Sequence, residues 1–360
     1  MTSAKVAVLK TSPGTVLADY KRLMHLAEYQ KYLPRDKDTA LKINITWHYF
    51  YPACSTPPWQ LEGVIKTLLE DGYRKELVHA CHNRTVVVSA KRGEKNNKHL
   101  PVVQKYGLRN IHLYEGEEWI RYEPKAKMRV LDQIFPHGIE IPKRLIGENI
   151  IHLPTMKTHV FTTMTGAMKN AFGGLLHERR HWTHSVIHET LVDLLTIQKE
   201  IHSGIFAVMD GTIAGDGPGP RCLVPYIKNY ILASDDQVAI DAVSAKMMGF
   251  DPLSLPFIRI AHESGLGCGD PDEIEVVGED IEEVNFHFQA SKNTFASYGQ
   301  KLIYWGPLKP LETFLLRTVL APWSYVASVI FHDWIWHPFI GRERTKKILK
   351  TSWGKLFQSY

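Results

Sequence analysis

The alternation of apolar and polar positions predicts strands that alternate with helices from the start of the chain. Residues 5–10 (KVAVLK) have the two-residue period of a strand, and residues 19–33 have the period of a helix. A second strand is predicted at residues 41–51, and a Pro-rich loop leads from it into an amphipathic helix that closes at Gly72. Residues 76–87 again have the character of a strand. This order, with short connections, is typical of a parallel sheet covered by helices.

The whole pattern predicts an α/β fold with two lobes, in which mainly parallel sheets are covered by helices. We expect an N-terminal α/β lobe at residues 1–150 and a second α/β lobe, carrying the main motifs, at residues 151–300. Residues 301–360 are expected to form a helical extension rich in aromatic and basic residues. The length of 360 residues, 44% of them hydrophobic, is sufficient to bury a full core.

Positive charge is concentrated at the C-terminal end. The chain has 43 Lys and Arg against 38 Asp and Glu, and residues 309–360 hold eight of the former against three of the latter. The preceding 308 residues are therefore neutral, with 35 charges of each sign. Because a nucleic-acid groove needs a basic surface on the folded domain, we expect no nucleic-acid partner.

The cysteine pattern argues against a metal cluster built on thiolates. Cys54, Cys81, Cys222 and Cys268 are far apart, and none belongs to a C-x-x-C pair. We therefore expect no iron-sulfur cluster and no structural zinc cluster ligated within this chain. A reducing compartment fits this usage, and the N-terminal segment lacks the apolar core of a signal peptide. These features predict a cytoplasmic protein.

A stretch rich in hydrogen-bond donors follows the strand that ends at Pro154. Lys, His, Thr, Asn and Gly residues are concentrated within the eighteen residues 157–174. Hydroxyl, ammonium and exposed backbone N–H groups all donate hydrogen bonds, so the stretch predicts an anion-binding loop. The alternative is a Gly-rich turn with a solvated basic edge. The residues assigned to substrate binding here are Lys157, Thr165, Asn170 and Gly173.

Four histidines follow at helical spacing. His177, His181, His184 and His188 would share one side of a helix, and residues 177–181 match the H-E-x-x-H pattern of zinc proteases. A chance match is common in a chain with 18 histidines, and Arg180 would place a cation beside the metal. The alternative is a polar helix face with exposed arginines.

Three aspartates are predicted to hold a divalent metal, either Mg, Mn or Zn. Asp210 and Asp216 lie where an apolar strand runs into a Gly-rich loop, whose Gly217 and Gly219 would let a substrate approach the backbone. Asp241 stands in an otherwise apolar helix, where a carboxylate without a partner is costly. The alternatives are Asx-turn chemistry for Asp210 and, for Asp241, a structural ion pair or a set of backbone donors.

The motifs KTHVFTTMTGAMKNAFGG, MDGTIAGDGPGP, ILASDDQVAIDAVSAKMMGFDP and ESGLGCGDPDEIEVVGE follow one another in this order. This series resembles the family catalogued as domain of unknown function 362, and the likeness extends over roughly residues 5–280. The resemblance implies a two-part α/β fold and no known reaction. Some relatives carry ferredoxin-like cysteine clusters, which this sequence lacks, and Asp216 stands where the family more often has Glu. The positions that match are Lys157, His159, Lys169, Asn170, Asp210, Gly217, Gly219, Pro220, Asp236 and Asp241.

The C-terminal segment combines aromatic and basic residues. Residues 305–353 hold five of the nine tryptophans, and their apolar run is interrupted too often for a membrane span. Residues 305–360 could lie on a membrane surface, with aromatic rings at the headgroups and Lys and Arg near anionic lipid. The alternatives are a helical wrap on the body and a homodimer contact.

These features predict an enzyme of unassigned reaction that acts on a small carboxylate or phosphate substrate in a cleft between the lobes. His159, Lys169 and Asp241 are the expected catalytic residues. The alternative is a non-catalytic ligand-binding or assembly factor, cytoplasmic and associated with the inner face of the membrane. Asp241→Asn distinguishes the two classes, because an enzyme should lose turnover while a structural pair should lose stability.

Overall fold

A computed structural model describes residues 4–290, 293–318 and 322–360. The strands are β1 (Ala4–Lys10), β2 (Thr39–Ile43), β3 (Val78–His82), β4 (Arg109–His112), β5 (Trp119–Tyr122), β6 (Ile139–Pro142), β7 (Asn149–Leu153), β8 (Thr155–His159), β9 (Thr163–Met164), β10 (Gly204–Asp216), β11 (Val224–Ser234) and β12 (Ile274–Gly278). The α-helices are α1 (Val16–Leu26), α2 (Pro58–Glu70), α3 (Ala90–Asn96), α4 (His99–Tyr106), α5 (Leu131–Ile134), α6 (Ala167–Phe172), α7 (Ile187–Ile201), α8 (Gln237–Met248), α9 (Pro256–Glu263), α10 (Phe295–Tyr304), α11 (Glu312–Leu316), α12 (Pro322–Val329), α13 (Arg342–Leu349) and α14 (Ser352–Ser359).

Tighter and wider helical segments connect these elements. A π-helical segment, Ile330–Gly341, joins α12 to α13. The 3₁₀ segments are Tyr29–Lys31, Lys75–Leu77, Lys143–Leu145, Glu178–Val186, Pro252–Ser254, Pro271–Glu273 and Lys309–Leu311.

One large sheet organises the fold, in the order β12-β1-β11-β10-β7-β2-β3-β4. Strand β11 is antiparallel to β1 and β10, and the other neighbours along this path are parallel. Strand β8 pairs with β10 and β9 beside this path, and β5 pairs with β6 in a separate ribbon. The predicted α/β class with mainly parallel strands is confirmed.

Strands from before and after residue 150 lie side by side in this sheet. Strand β7 is fully buried between β10 and β2, and its register pairs His152 with Lys42. Strands buried on both faces are rich in apolar residues, as are β7 and the first half of β10. The boundary drawn at residue 150 therefore falls in a central strand, so a shared sheet joins the two predicted lobes.

The core lies on both faces of the sheet. Along β10, Phe206 and Val208 belong to one buried cluster, while Ala207 and Met209 belong to the other. This alternation is the two-residue period of a strand. Helices α1, α2 and α4 cover the face of Phe206, and helices α6 to α9 cover the face of Met209.

The C-terminal segment is helical, as predicted, and its last helix packs on the body. In α14, Trp353 Nε1 donates to Asn229 Oδ1 at 2.7 Å, and Phe357 stacks on Phe50 with ring centroids 3.6 Å apart. In the described part of the chain, no helix combines the length and the apolar character needed to span a membrane.

The continuous helical rod at residues 322–349 presents apolar side chains to solvent. Its inner face is mixed, since the buried Asp333 accepts a hydrogen bond from Trp47 Nε1 at 2.7 Å and the buried Trp336 packs against the Trp47 ring. Its outer face carries large apolar residues at intervals of three to five, with Trp334 67% and Phe339 77% exposed. We call this outer row the apolar stripe; its members are Trp323, Val326, Ile330, Trp334 and Phe339.

Candidate functional site

A cavity of about 280 Å³ opens at the carboxyl ends of β2, β3 and β8. Open α/β sheets bind ligands at this edge, so its position alone makes it the leading candidate site. Its walls combine basic side chains with apolar ones. The charged and polar residues that line it are Lys42, Asn44, Thr46, His82, Asn83, Thr85, Lys157, His159, Thr165, Lys169, Asn170, Arg180, His181, His184 and Arg221.

Three lysines in the lining have no carboxylate partner among the described residues. Lys42 Nζ donates to the carbonyl of Ile43 at 2.6 Å, and Lys157 Nζ donates to Thr155 Oγ1 at 2.9 Å and to the carbonyl of Cys54. Lys169 Nζ lies 4.9 Å from the centre of the Phe172 ring. Neutral acceptors and a ring face leave the three positive charges without compensation.

Burial changes the proton affinity of these lysines. Desolvation lowers the pKa of Lys42 and of Lys157 to about 8. Desolvation, together with the nearby charges of Lys157 and Arg180, lowers the pKa of Lys169 to about 7. A bound anion would favour the charged form of all three lysines. In the empty cavity, Lys169 can gain or lose a proton near neutral pH.

Two arginines add permanent charge to the lining. Arg180 Nη2 donates to the carbonyl of Arg84 at 2.6 Å, which fixes the guanidinium against the loop after β3. Arg221 Nη2 donates to Ser328 Oγ at 2.9 Å, while its buried Nη1 has no hydrogen-bond partner in the described ranges. No Asp or Glu is found among the lining residues that the structure describes. The cavity is therefore suited to an anion.

His159 enters the lining as a neutral ring of defined tautomer. Its Nδ1 accepts the backbone N–H of Phe161 at 3.2 Å, so the ring proton resides on Nε2. Burial and the charges of Lys169 and neighbouring groups hold the pKa of His159 well below its ordinary value. This side chain can donate a hydrogen bond to an anion, but it is a poor base.

The structure brings most of the predicted anion-loop residues together. Lys157, Thr165, Asn170 and Gly173 all line the cavity, alongside His159 and Lys169. Asn170 Nδ2 also donates to the carbonyl of Lys42 at 2.8 Å, which ties the loop after β8 to the end of β2.

Gly217 and Gly219 lie outside the lining and shape the loop that reaches it. A Cβ at Gly219 would lie 1.9 Å from the carbonyl oxygen of Thr158, and Thr158 Oγ1 donates to the carbonyl of Gly217 at 2.8 Å. The loop packed against β8 in this way carries Pro220 and Arg221 into the cavity wall.

The four histidines at helical spacing do not converge. Residues Glu178–Val186 are 3₁₀ and α7 begins only at Ile187, so the α-helical spacing that the sequence suggests is interrupted. His181 and His184 line the cavity, whereas His177 packs edge-on against Trp119 and His188 stacks on Phe257.

Asp210 lies outside the cavity and serves a buried network of its own. Its carboxylate accepts from Tyr20 Oη at 2.7 Å and Trp59 Nε1 at 3.0 Å, and from the backbone N–H of Thr212 at 3.0 Å. Desolvation raises the pKa of Asp210 to about 6.

Asp216 and Asp241 bind two further, separate sets of backbone donors. Asp216 Oδ1 accepts from the N–H groups of Gln289 and Ala290 at 3.0 and 3.2 Å. Asp241, fully buried, accepts from Ala167 and Met168. The structure thus does not bring Asp210, Asp216 and Asp241 together, and a metal shared by the three stays a prediction.

Sequence reasoning assigned no role to several lining residues. Lys42, Arg180 and Arg221 are the charged ones, and the sequence holds a signal for Lys42 and for Arg221. Lys42 lies in a strand whose likeness to the family is visible in LKINITW, and Arg221 directly follows the Gly-Pro pairs of its loop. Their convergence depends on the long-range strand order, which local patterns do not contain.

Comparisons with known proteins agree with the resemblance of the motifs. Residues 39–246 match the family described as Domain of unknown function (DUF362). A thylakoid-associated protein, sll1697 of Synechocystis sp., is 25% identical over 181 residues, which are 49% of this chain and 53% of the relative. The chain thus spans about half the length of the curated relative that it matches. No solved structure matches the chain. Because the family match covers more than half of the 360 residues, the chain belongs to the DUF362 family.

Proposed function

We propose that the cavity binds a small carboxylate or phosphate anion and that the protein is an enzyme that acts on it. The observation that carries the proposal is the set of three lysines, Lys42, Lys157 and Lys169, that have no carboxylate partner among the described residues, in a lining that also holds Arg180 and Arg221. Burying charge without compensation costs stability, and such a cost is typical of sites that await a ligand.

The lining residues would have different roles in binding the anion and in transferring a proton. Lys42 and Lys157 are held by backbone carbonyls and would fix the anion, while the Nε2–H of His159 would donate to one of its oxygens. Lys169, whose pKa is lowered to about 7, is the best candidate to move a proton at neutral pH. Asp241 would act on the site only by holding the helix that carries Lys169. The proposed function does not depend on a metal at Asp210, Asp216 and Asp241.

Calorimetric titration with inorganic phosphate and with sulfate tests the binding proposal. Lys169→Met should weaken binding by about tenfold or more, because it removes one charge from the lining. The control is Lys21→Met, which removes an exposed lysine already paired with Glu70 at 2.9 Å and should bind as the wild type does. A wild-type protein without measurable affinity for either anion, or equal effects of the two substitutions, would overturn the proposal.

A second substitution separates an enzyme from a non-catalytic binding or assembly factor, which is the alternative function. Lys169→Arg keeps the positive charge but cannot release a proton near neutral pH. Under the enzyme proposal it retains anion affinity and loses turnover in a screen of carboxylate and phosphate compounds. If anion binding persists while no compound in the screen is converted by the wild type, the binding factor becomes the better proposal.

We further propose that the protein works at a membrane surface, on which it docks through the apolar stripe. The Synechocystis relative is named a thylakoid-associated protein, and thylakoids are membrane-bounded compartments. The stripe lies next to α13. Residues 342–350 hold one acidic residue, Glu343, against five basic ones, Arg342, Arg344, Lys346, Lys347 and Lys350. Aromatic rings beside clustered Lys and Arg match the interface of an anionic bilayer, whereas a second copy of the chain would bring the same positive charge.

The proposed docking face adjoins the cavity. Tyr325 Oη lies 2.8 Å from Nε2 of His181, and Ser328 Oγ accepts from Arg221, so α12 contacts two lining residues. A protein docked through the stripe would hold the cavity close to the lipid headgroups.

Co-sedimentation with vesicles tests the docking face. Binding should be stronger to vesicles of phosphatidylcholine with phosphatidylglycerol than to vesicles of phosphatidylcholine alone. Trp334→Ser combined with Phe339→Ser should weaken the binding to the mixed vesicles by about tenfold or more. Tyr226→Ser, which removes another exposed aromatic side chain on β11, is the matched control. A change of oligomeric mass without a change in vesicle binding would assign the stripe to a homodimer contact instead.

A further inference from the structure

His82, Glu94 and His112 form a compact cluster at the wall of the cavity. Nε2 of His82 lies 2.9 Å from Glu94 Oε2, and Nε2 of His112 lies 3.1 Å from the same oxygen. Each residue therefore offers one ligand atom, and the three atoms lie within 4.8 Å of one another. In the described ranges of the chain, no other group of three or more His, Cys, Asp or Glu side chains is this close.

The fold builds this cluster from three separate elements. His82 and His112 end the parallel strands β3 and β4 and are paired in register, so both rings project from the same edge of the sheet. Glu94 lies on α3, which follows β3, and reaches down between the two rings. His82 also lines the cavity, so the cluster adjoins the candidate site.

The charge at the cluster is not balanced by a permanent cation. Glu94 is 5% exposed, and its ion-pair partners in the described part of the molecule are the two histidines, with no lysine or arginine among them. A buried carboxylate is costly unless a cation or a full set of donors compensates it. A dication between the two imidazoles and the carboxylate would supply that charge.

Two of the three ligands have the supporting contacts that metal ligands usually need. Nδ1 of His112 lies 3.3 Å from Glu115 Oε2, as in the carboxylate–histidine pairs that orient metal-bound imidazoles. Asn110 Nδ2 donates to Glu94 Oε2 at 2.8 Å and holds the carboxylate in place. These contacts fix two of the three ligands from outside.

We propose that His82, Glu94 and His112 bind one transition-metal dication, with zinc as the best chemical match. Imidazole favours zinc and its first-row neighbours over Mg²⁺ and Ca²⁺, and two His with one carboxylate are a ligand set of open, four-coordinate zinc sites. The fourth position would be left for water or a ligand. This proposal is independent of anion binding by the cavity lysines.

Metal titration of the full chain tests the site. After dialysis against a chelator, the wild type should bind one equivalent of Zn²⁺ by calorimetry, and Co²⁺ should give the strong visible absorption of a four-coordinate site. Glu94→Gln and His112→Gln should each weaken binding by about 100-fold or more, and Glu115→Gln by about tenfold, since it removes only an orienting contact.

The control is His25→Gln. His25 also faces a carboxylate, with Nε2 2.5 Å from Asp71 Oδ2, but no second histidine of the described ranges joins the pair, so this variant should bind zinc as the wild type does. His112 is on the edge strand β4 and partly exposed, so its replacement should leave the fold intact even if that of Glu94 does not. A folded wild type that binds no stoichiometric zinc, or a folded His112→Gln protein that binds it unchanged, would reduce the cluster to a hydrogen-bonded network and overturn the proposal.

Discussion

The carboxylate of Asp241 accepts a hydrogen bond from the backbone N–H of Ala167 at 2.6 Å. A second bond, from the N–H of Met168 at 3.1 Å, places the same side chain at the N-terminus of α6. Helix α6 is only six residues long, yet it carries Lys169 and Asn170 into the cavity lining. An aspartate expected to be catalytic thus positions the lysine that faces the cavity.

The first prediction concerns the pH dependence that Asp241 imposes on stability. Desolvation raises the pKa of Asp241 to about 7 in the folded protein, above the ordinary value of 3.8. The folded state therefore binds more protons than the unfolded state, so this contribution is fully present below pH 3.8 and is lost as pH rises through 7. The slope is at most about 1.4 kcal/mol per pH unit.

Asp241→Asn removes this titration and should flatten the fall in the free energy of unfolding between pH 5 and 7.5. Urea denaturation at a series of pH values, compared between the two proteins, isolates the aspartate from the other titrating groups. Parallel curves for wild type and variant would contradict the prediction.

The second prediction concerns the close approach of Gly166 to Asp241. A Cβ at Gly166 would lie 2.1 Å from Asp241 Oδ1, although the backbone there is extended and suits any residue. Gly166→Ala should therefore cost about 1–3 kcal/mol of stability through crowding alone, and should weaken anion binding by displacing α6. Gly299→Ala lies in helix α10, where the new methyl group would have no atom within 4 Å from the described residues outside its own turn of helix, so stability should be unchanged or slightly increased. Equal urea midpoints for the two variants would refute the steric argument.

The fold class could be predicted from the sequence because the periods of apolar and polar residues that distinguish strands from helices are contained in short segments. Apolar runs such as residues 149–153, separated by helical periods, predict buried parallel strands, and these are present. Strand order is a different matter. The insertion of β7 between β10 and β2 joins segments on both sides of residue 150, and nothing in a window of sequence encodes that neighbour relation.

The candidate site likewise combines residues that are close in sequence with residues that only the fold brings near. Lys157, His159, Lys169 and Asn170 fall within fourteen residues and could be identified by their density. Lys42 comes from β2, which pairs with β7 but is more than a hundred residues away in the sequence, and Arg221 comes from the loop after β10. For Asp210 and Asp216 the sequence leaves two interpretations, since an aspartate that binds backbone N–H groups has the same sequence context as a metal ligand in a Gly-rich loop.

The third prediction concerns the pH dependence of anion affinity. Sulfate stays a dianion across neutral pH, so any change in its affinity reports the protein. Burial lowers the pKa of Lys169 to about 7 and those of Lys42 and Lys157 to about 8, so the lining loses positive charge as pH rises. Sulfate affinity should fall between pH 6 and 9, by up to about tenfold per pH unit for each lysine that loses its proton. Lys169→Arg, which stays charged, should remove the earliest part of that fall, and a pH-independent affinity in the wild type would exclude these lysines as the binding groups.

The fourth prediction is that loss of Lys169 stabilises the protein in the absence of a ligand. Its ammonium group has no hydrogen bond or ion pair with any described residue, and it lies among like charges. The pKa of Lys169 in the folded state, about 7, is below the ordinary 10.5, so the cost of burying the charge is full below pH 7 and vanishes as pH approaches 10.5. Lys169→Met should therefore raise the free energy of unfolding by about 1 kcal/mol or more at pH 6, and by less at pH 9.

Saturating sulfate should reduce the difference in the free energy of unfolding between Lys169→Met and the wild type at pH 6, because sulfate stabilises the wild type by mass action and hardly binds the variant. If Lys169→Met destabilises the ligand-free protein at pH 6, Lys169 stabilises the fold itself. Its charge would then give no support to an anion site in the cavity.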